Sequence, residues 1–206
     1  MSQKWPLRCL TLLSKAHRES GSARGNGGEG RNGKLNLFYN TIIPTAYENC
    51  NRKPERRSRK TNLMTNIISQ APQNNQETWA NLEDYTRDLV GDGKEVYVVM
   101  GSYGVGGTGT NGSAQTIDNG RVTVPGRIWK MLVVLEEGEG DQQGINTSTR
   151  VIAVDTPNSN TVRPDWGSYR TSVDAIEQAT GYDLLSALPA QVQQALERQV
   201  DTGPTR

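Results

Sequence analysis

Two asparagines, Asn74 and Asn75, stand beside Pro72, just ahead of a stretch from Gln76 to Val90 in which Trp79, Leu82, Tyr85 and Leu89 recur at steps of three and four residues. That spacing predicts an amphipathic helix closed by Gly91, with Pro72 and the asparagines forming the turn at its start. An asparagine there has two possible uses. Its side-chain oxygen can cap the helix by accepting a backbone N–H. Alternatively, its amide oxygen can ligate a hard cation such as Mg²⁺, which keeps most of its waters and takes few protein ligands. Glu83 follows Asn75 by eight residues, a little over two turns, close to the same helical face and able to hold a cation's water from a second position.

Other candidate chemistry is thinner. Gly104-Val-Gly106-Gly-Thr-Gly109 has the G-x-G-x-x-G form and follows a strand, but the glycines run on into Thr110, Asn111 and Gly112 and open no helix. A dinucleotide site needs that helix N-terminus for the pyrophosphate, so the segment reads as a mobile glycine loop. His17, the single histidine, lies between Ala16 and Arg18 beside a glycine-rich stretch. No Ser-His-Asp or Cys-His arrangement can be built from it. Cys9 and Cys50 are the only cysteines, which excludes a disulfide scaffold and a Cys-rich zinc site.

The elements that would position these groups occupy the later part of the chain. It has 206 residues, enough for one ordinary domain, and no apolar run approaches the roughly 18 residues of a membrane helix, so no membrane partner is expected. The net charge of +1 conceals a split. Residues 1–62 hold 13 Lys and Arg against four Glu and no Asp, a balance of +9, and the remainder carries −8. Residues 18–34 are glycine-rich and polar, Phe38 lies in a segment suited to one short strand, and Asn49 to Lys60 is a basic run. From Thr61 the texture becomes clean elements and turns. Asn62 to Ile68 suits a strand or a buried extended segment, and strands are expected at Glu95 to Gly101, Arg121 to Val124, Trp129 to Leu135 and Arg150 to Val154. A helix capped by Thr171-x-x-Asp174 and ending near Gly181 follows, then another with Pro189 as its first residue. Strands in the middle with helices before and after them imply an α+β fold with a largely antiparallel central sheet and flanking helices.

One ordered set of residues says more: Thr65-Asn66-Ile67-Ile68-x-Gln70-Ala71-Pro72-x-x-Asn75-Gln76-x-x-Trp79-Ala80-x-Leu82-Glu83. It resembles the signature of the DNA/RNA non-specific endonucleases, the ββα-metal or His-Me finger nucleases. Similarity continues through Glu95 to Gly101, Val122 to Pro125, Trp129-Lys130, Arg150 to Pro157 and Tyr169 to Leu188, so that residues 61–202 are covered. The resemblance implies a ββα-metal fold and metal-dependent hydrolysis of DNA and RNA, single- or double-stranded. Asn75 corresponds to the protein ligand of one Mg²⁺ (or Mn²⁺), Glu83 to the acid that orients metal-bound water, and Asn66 to a polar residue beside the reacting phosphate. Indifference to sequence would follow from gripping the phosphate backbone.

The departures from the family pattern concern the first third. The family's general-base histidine sits in an Asp-Arg-Gly-His motif upstream of the metal ligand, and this chain has no such motif. Residues 35–50 contain neither His nor Asp. Ser69 and Glu77 stand where the family usually has Pro and Gly. Residues 1–60 are therefore expected to be a poorly ordered or aberrant segment, of the kind an out-of-frame reading would leave, and residues 61–206 the C-terminal part of the endonuclease domain. Loss of a general base costs on the order of 10²–10⁴ in rate, so weak or absent cleavage is expected, with a non-catalytic nucleic-acid-binding module or an inactive fragment as the alternative. Family members are commonly exported. The apolar run after Lys4 and Arg8 is shorter than a secretory core of roughly 7–15 residues, so no signal peptide is readable and the localisation is unknown.

Overall fold

A computed structural model describes residues 38–41, 67–136 and 144–206. Strand β1 (Phe38–Thr41) pairs antiparallel with β2 (Ile67–Gln70), Phe38 opposite Gln70. A π turn (Asn74–Trp79) follows and runs directly into α1 (Ala80–Gly91). Two antiparallel strands and the helix after them form a ββα unit. The other expectations for residues 1–60, with His17, Cys9, Cys50 and the basic run, lie outside the described residues, as does Asn66.

Strand β3 (Lys94–Tyr103) is followed by two small hairpins, β4 (Gly107–Gly109) with β5 (Gly112–Ala114) and β6 (Thr116–Ile117) with β7 (Val122–Thr123). Strands β8 (Arg127–Glu136), β9 (Arg150–Pro157) and β10 (Arg170–Thr171) complete an antiparallel sheet in the order β10-β9-β8-β3. A 3-10 turn (Trp166–Tyr169) precedes β10, and α2 (Val173–Thr180) and α3 (Ala190–Glu197) close the chain. The fold is α+β, as expected, with helices on both faces of the sheet.

Period-two alternation sorts the apolar side chains of β8 into two cores. Leu132 faces α1 and packs with Leu82, Tyr85, Val96, Ile152, Val154 and Trp166. Trp129, Met131, Val133 and Leu135 face the other way, against Val173 and Ile176 of α2, Leu184, Leu185 and Leu188 of the segment between the helices, and Leu196 of α3. Burial on both faces explains why β8 reads as a nearly unbroken apolar run. Each fully buried Leu or Ile contributes roughly 1.5–3 kcal/mol.

Several boundaries differ from the expectation, each for a local reason. Pro72 and the asparagines are helical, because proline suits the first helical position, where its missing N–H costs nothing. Helix α1 runs through Gly91, and the left-handed stop is Gly93 at φ +82°, whose N–H donates to the Val90 carbonyl. The cap of α2 is Ser172, its Oγ accepting the Ala175 N–H at 3.2 Å, since Thr171 is already paired in β10. Pro189 is the cap of α3 and precedes its first turn. The glycine segment after β3 is a paired hairpin, with Thr108 bridged to Ser159 beyond β9. Among the described residues, no helix is long and apolar enough to cross a membrane.

Candidate active site

The start of the helix is held by residues remote in sequence. Helix N-termini leave backbone N–H groups without intrahelical partners, and no side chain at Gln73, just ahead of the π turn, supplies a cap. Instead Asn158 Oδ1 accepts the Ala71 N–H at 2.7 Å and Asn160 Oδ1 accepts the Gln73 N–H at 3.0 Å. Asn158 is buried, and its Nδ2 donates to the Ser69 and Pro125 carbonyls at 2.9 Å each. The backbone of β4 lies against it so closely that a Cβ at Gly107 would meet Asn158 Nδ2 at 2.8 Å. Further along, Thr78 Oγ1 donates to the Arg163 carbonyl and Asn81 Nδ2 to that of Pro164.

Asn74 and Asn75 have separate fates. Asn74 is completely buried. Its Nδ2 donates to Thr156 Oγ1 at 3.0 Å and to the Pro157 carbonyl at 2.7 Å, and its Oδ1 accepts from Gln70 Nε2 at 3.2 Å. Asn74 therefore ties the helix to β9. Neither asparagine is a helix cap. Asn75 is half-buried, and its side chain has no hydrogen-bond partner among the described residues. Its backbone N–H donates to the Ala71 carbonyl at 2.9 Å, so the helix fixes the direction in which its amide leaves the backbone.

The π turn affects which side chains share a face. Eight residues of regular α-helix turn through roughly 800°, about 80° past two full turns. A π turn is wider and takes less rotation per residue, so the segment Asn74–Trp79 closes part of the offset between Asn75 and Glu83.

Glu83 lies over the sheet. Its Oε1 accepts from Lys130 Nζ at 3.4 Å, with the lysine side chain 3% exposed and the glutamate 38%. The Lys130 ammonium also sits 4.2 Å from the ring centroid of Trp79. Burial pushes the Lys130 pKa down to about 8, opposed by the Glu83 charge and reinforced by Arg87. Arg87 itself pairs with Asp84 on the exposed side of α1.

A second carboxylate group lies across the sheet, where Asp174, Glu177 and Glu197 bring oxygens within 4.8 Å of one another. These groups are already engaged. Glu177 Oε1 accepts the Leu184 N–H at 2.6 Å, and Gln193 Nε2 donates to both Glu197 and Asp183. Burial, with Glu197 and Asp183 nearby, pushes the Glu177 carboxyl up to about 7. Through the Leu184 N–H, Glu177 holds α2 to the segment that leads into α3.

The family model for DNA/RNA non-specific endonucleases matches residues 45–191. The chain belongs to this family. A nuclease of a Nostoc species is 46% identical over 141 residues, 68% of this chain and 48% of that protein. A nuclease of Serratia marcescens is 31% identical over 139 residues, 66% of this chain and 47% of its own. A chain solved as "Crystal structure of the EndoG/EndoGI complex: Mechanism of EndoG inhibition" has 22% identity and a TM-score of 0.44, covering 59% of this chain and 49% of that one. The chain spans about half the length of the curated relatives it matches.

In this member of the family the structure brings Asn75 and Glu83 onto one helix, and Asn66 lies outside the described residues. Sequence reasoning did not single out Lys130, Asn158 or Asn160. Lys130 interrupts the apolar run Ile128 to Leu135, the one sequence signal that could have flagged it. The asparagines sit in a polar turn, Pro157 to Thr161, with nothing local to mark their partners.

Proposed function

We propose that this chain carries the site of a metal-dependent, His-Me finger endonuclease acting on the phosphodiester bonds of DNA and RNA, single- or double-stranded. The observation that carries the reading is Asn75, a half-buried amide without a partner among the described residues, beside an asparagine whose amide is entirely used. Hard oxygen donors few in number suit Mg²⁺ or Mn²⁺. The Asn75 amide oxygen would hold the ion. Glu83, with one oxygen on Lys130 and the other without a partner among the described residues, would accept hydrogen bonds from the ion's waters. Asn66 would lie beside the reacting phosphate. A divalent ion bound there supplies charge stabilisation to the phosphate and the leaving oxygen.

We assign the C-terminal part of the endonuclease domain to residues 61–206 and read 1–60 as an aberrant segment, although its Phe38–Thr41 pairs with β2 and the family match begins at residue 45. His17, the only histidine, stands far upstream of Asn75 without an Asp-Arg-Gly neighbour. Cleavage is therefore impaired, by about 10²–10⁴ against a chain with a general base. The same observation favours a second reading, retention of nucleic acid without cutting. Plasmid nicking with Mg²⁺ or Mn²⁺, an EDTA control and Asn75→Ala separates the two. Slow nicking abolished by EDTA and by the substitution supports the first, and binding without nicking supports the second.

A further inference from the structure

Lys130 stands on the face of β8 that meets α1, between Ile128 and Leu132, both completely buried. A buried ammonium is costly unless paired. An apolar side chain of similar length would fill the same space, and such replacements of buried ion pairs are often neutral or stabilising. The charge is thus poorly explained by packing. Its two neighbours, the Trp79 ring at 4.2 Å and Glu83 Oε1 at 3.4 Å, both belong to the helix that carries Asn75. The ring belongs to the π turn itself.

The geometry points to Lys130 as a positioning residue of the nuclease site: its ammonium, held against Trp79, draws Glu83 Oε1 toward the sheet and leaves the second carboxylate oxygen for the waters of a bound cation. This rests on the role given to Glu83 under the proposed function. Lys130 touches neither substrate nor cation and acts through the carboxylate. The two sides of the pair differ in exposure, so the lysine fixes a group that water can still reach.

The test uses the full chain and Mn²⁺ alone, followed by electron paramagnetic resonance, with circular dichroism and thermal unfolding on each variant. Wild type is expected to bind one Mn²⁺, and Asn75→Ala to lose it. Lys130→Met and Glu83→Gln each weaken Mn²⁺ by about tenfold or more. The double variant is no weaker than the worse single one, the signature of residues acting as a unit. Lys130→Arg, which keeps both the charge and the stacking, recovers most of the affinity, and it carries the test should Lys130→Met lose its native dichroism. Wild-type affinity in Lys130→Met with weakened binding in Asn75→Ala and Glu83→Gln overturns the Lys130 assignment and leaves the site reading intact, as does an affinity loss in Lys130→Arg equal to that of Glu83→Gln. No Mn²⁺ binding by wild type, or full binding by Asn75→Ala, overturns the site reading and this inference with it.

Discussion

The two faces of the central sheet bury their side chains in different ways. Beneath α2 and α3 the contact is largely apolar, and the carboxylates Asp174, Glu177, Asp183 and Glu197 gather around those helices. Tyr103 and Arg127 meet at Asp155 on that side, at the end of the strands. Under α1, apolar packing is interrupted by Lys130, and polar side chains from β9 and the turn after it reach the helix start. An apolar face tolerates small shifts of a helix, because dispersion and burial have no direction. Hydrogen bonds to Asn74, Ala71 and Gln73 permit only one seating. The face that sets Asn75 and Glu83 is the one whose apolar packing is broken by a buried lysine.

The comparison is broken most sharply at Asn158. Asn158→Ala releases the Ala71 N–H and two carbonyls, in a position where all are buried. Leaving such groups unsatisfied costs about 3 kcal/mol, whereas Asn75→Ala at the half-buried neighbouring site is expected to cost under about 0.5 kcal/mol. Urea unfolding of both variants measures the difference. Equal losses would mean that Asn75 is structural.

Lys130 provides the next test. Its folded pKa of about 8 lies below the ordinary 10.5 of a lysine, so between these values the unfolded chain binds the extra proton. Stability relative to Lys130→Met therefore rises as pH increases from about 8 to 10.5, by as much as about 3 kcal/mol at 1.36 kcal/mol per unit. Thermal midpoints across that range check the sign.

The opposite face has the reverse dependence and a smaller expected effect, because Glu177 is only partly buried and solvent screens its charge, whereas Lys130 is fully buried. Glu177 holds its proton up to about pH 7, above its ordinary 4.5. Its contribution is present in full below pH 4.5 and is lost as pH rises through 7. Glu177→Gln keeps a neutral side chain and flattens that part of the pH profile. Backbone hydrogen exchange in α2 and α3 would record it, with α1 unaffected if the two faces are independent.

Much of the fold was legible residue by residue. The apolar runs became β3, β8 and β9, and the three- and four-residue spacing of Trp79, Leu82, Tyr85 and Leu89 became a helix. Its ends were less legible. Asn74 looked like a cap, but its amide had better partners in Thr156 and Pro157. Gly91 looked like a stop, yet Gly93 supplied the positive φ. The glycine segment looked mobile because its pairing partners could not be seen, and the backbone beside Gly107 is set by Asn158 across the turn.

By itself the sequence determined the family, the order of elements and the two residue types, Asn75 and Glu83, that propose a cation site, because these depend on local spacing and side-chain chemistry. Only the tertiary structure decided which asparagine is spent on holding the helix and which is left with its amide unpartnered among the described residues. It also brought Lys130 to Glu83 and Asn158 to Ala71. Those contacts join residues 47 and 87 positions apart. Hydrogen bonds over such separations leave no period in the chain, and only the register of the sheet against the helix brings their atoms together.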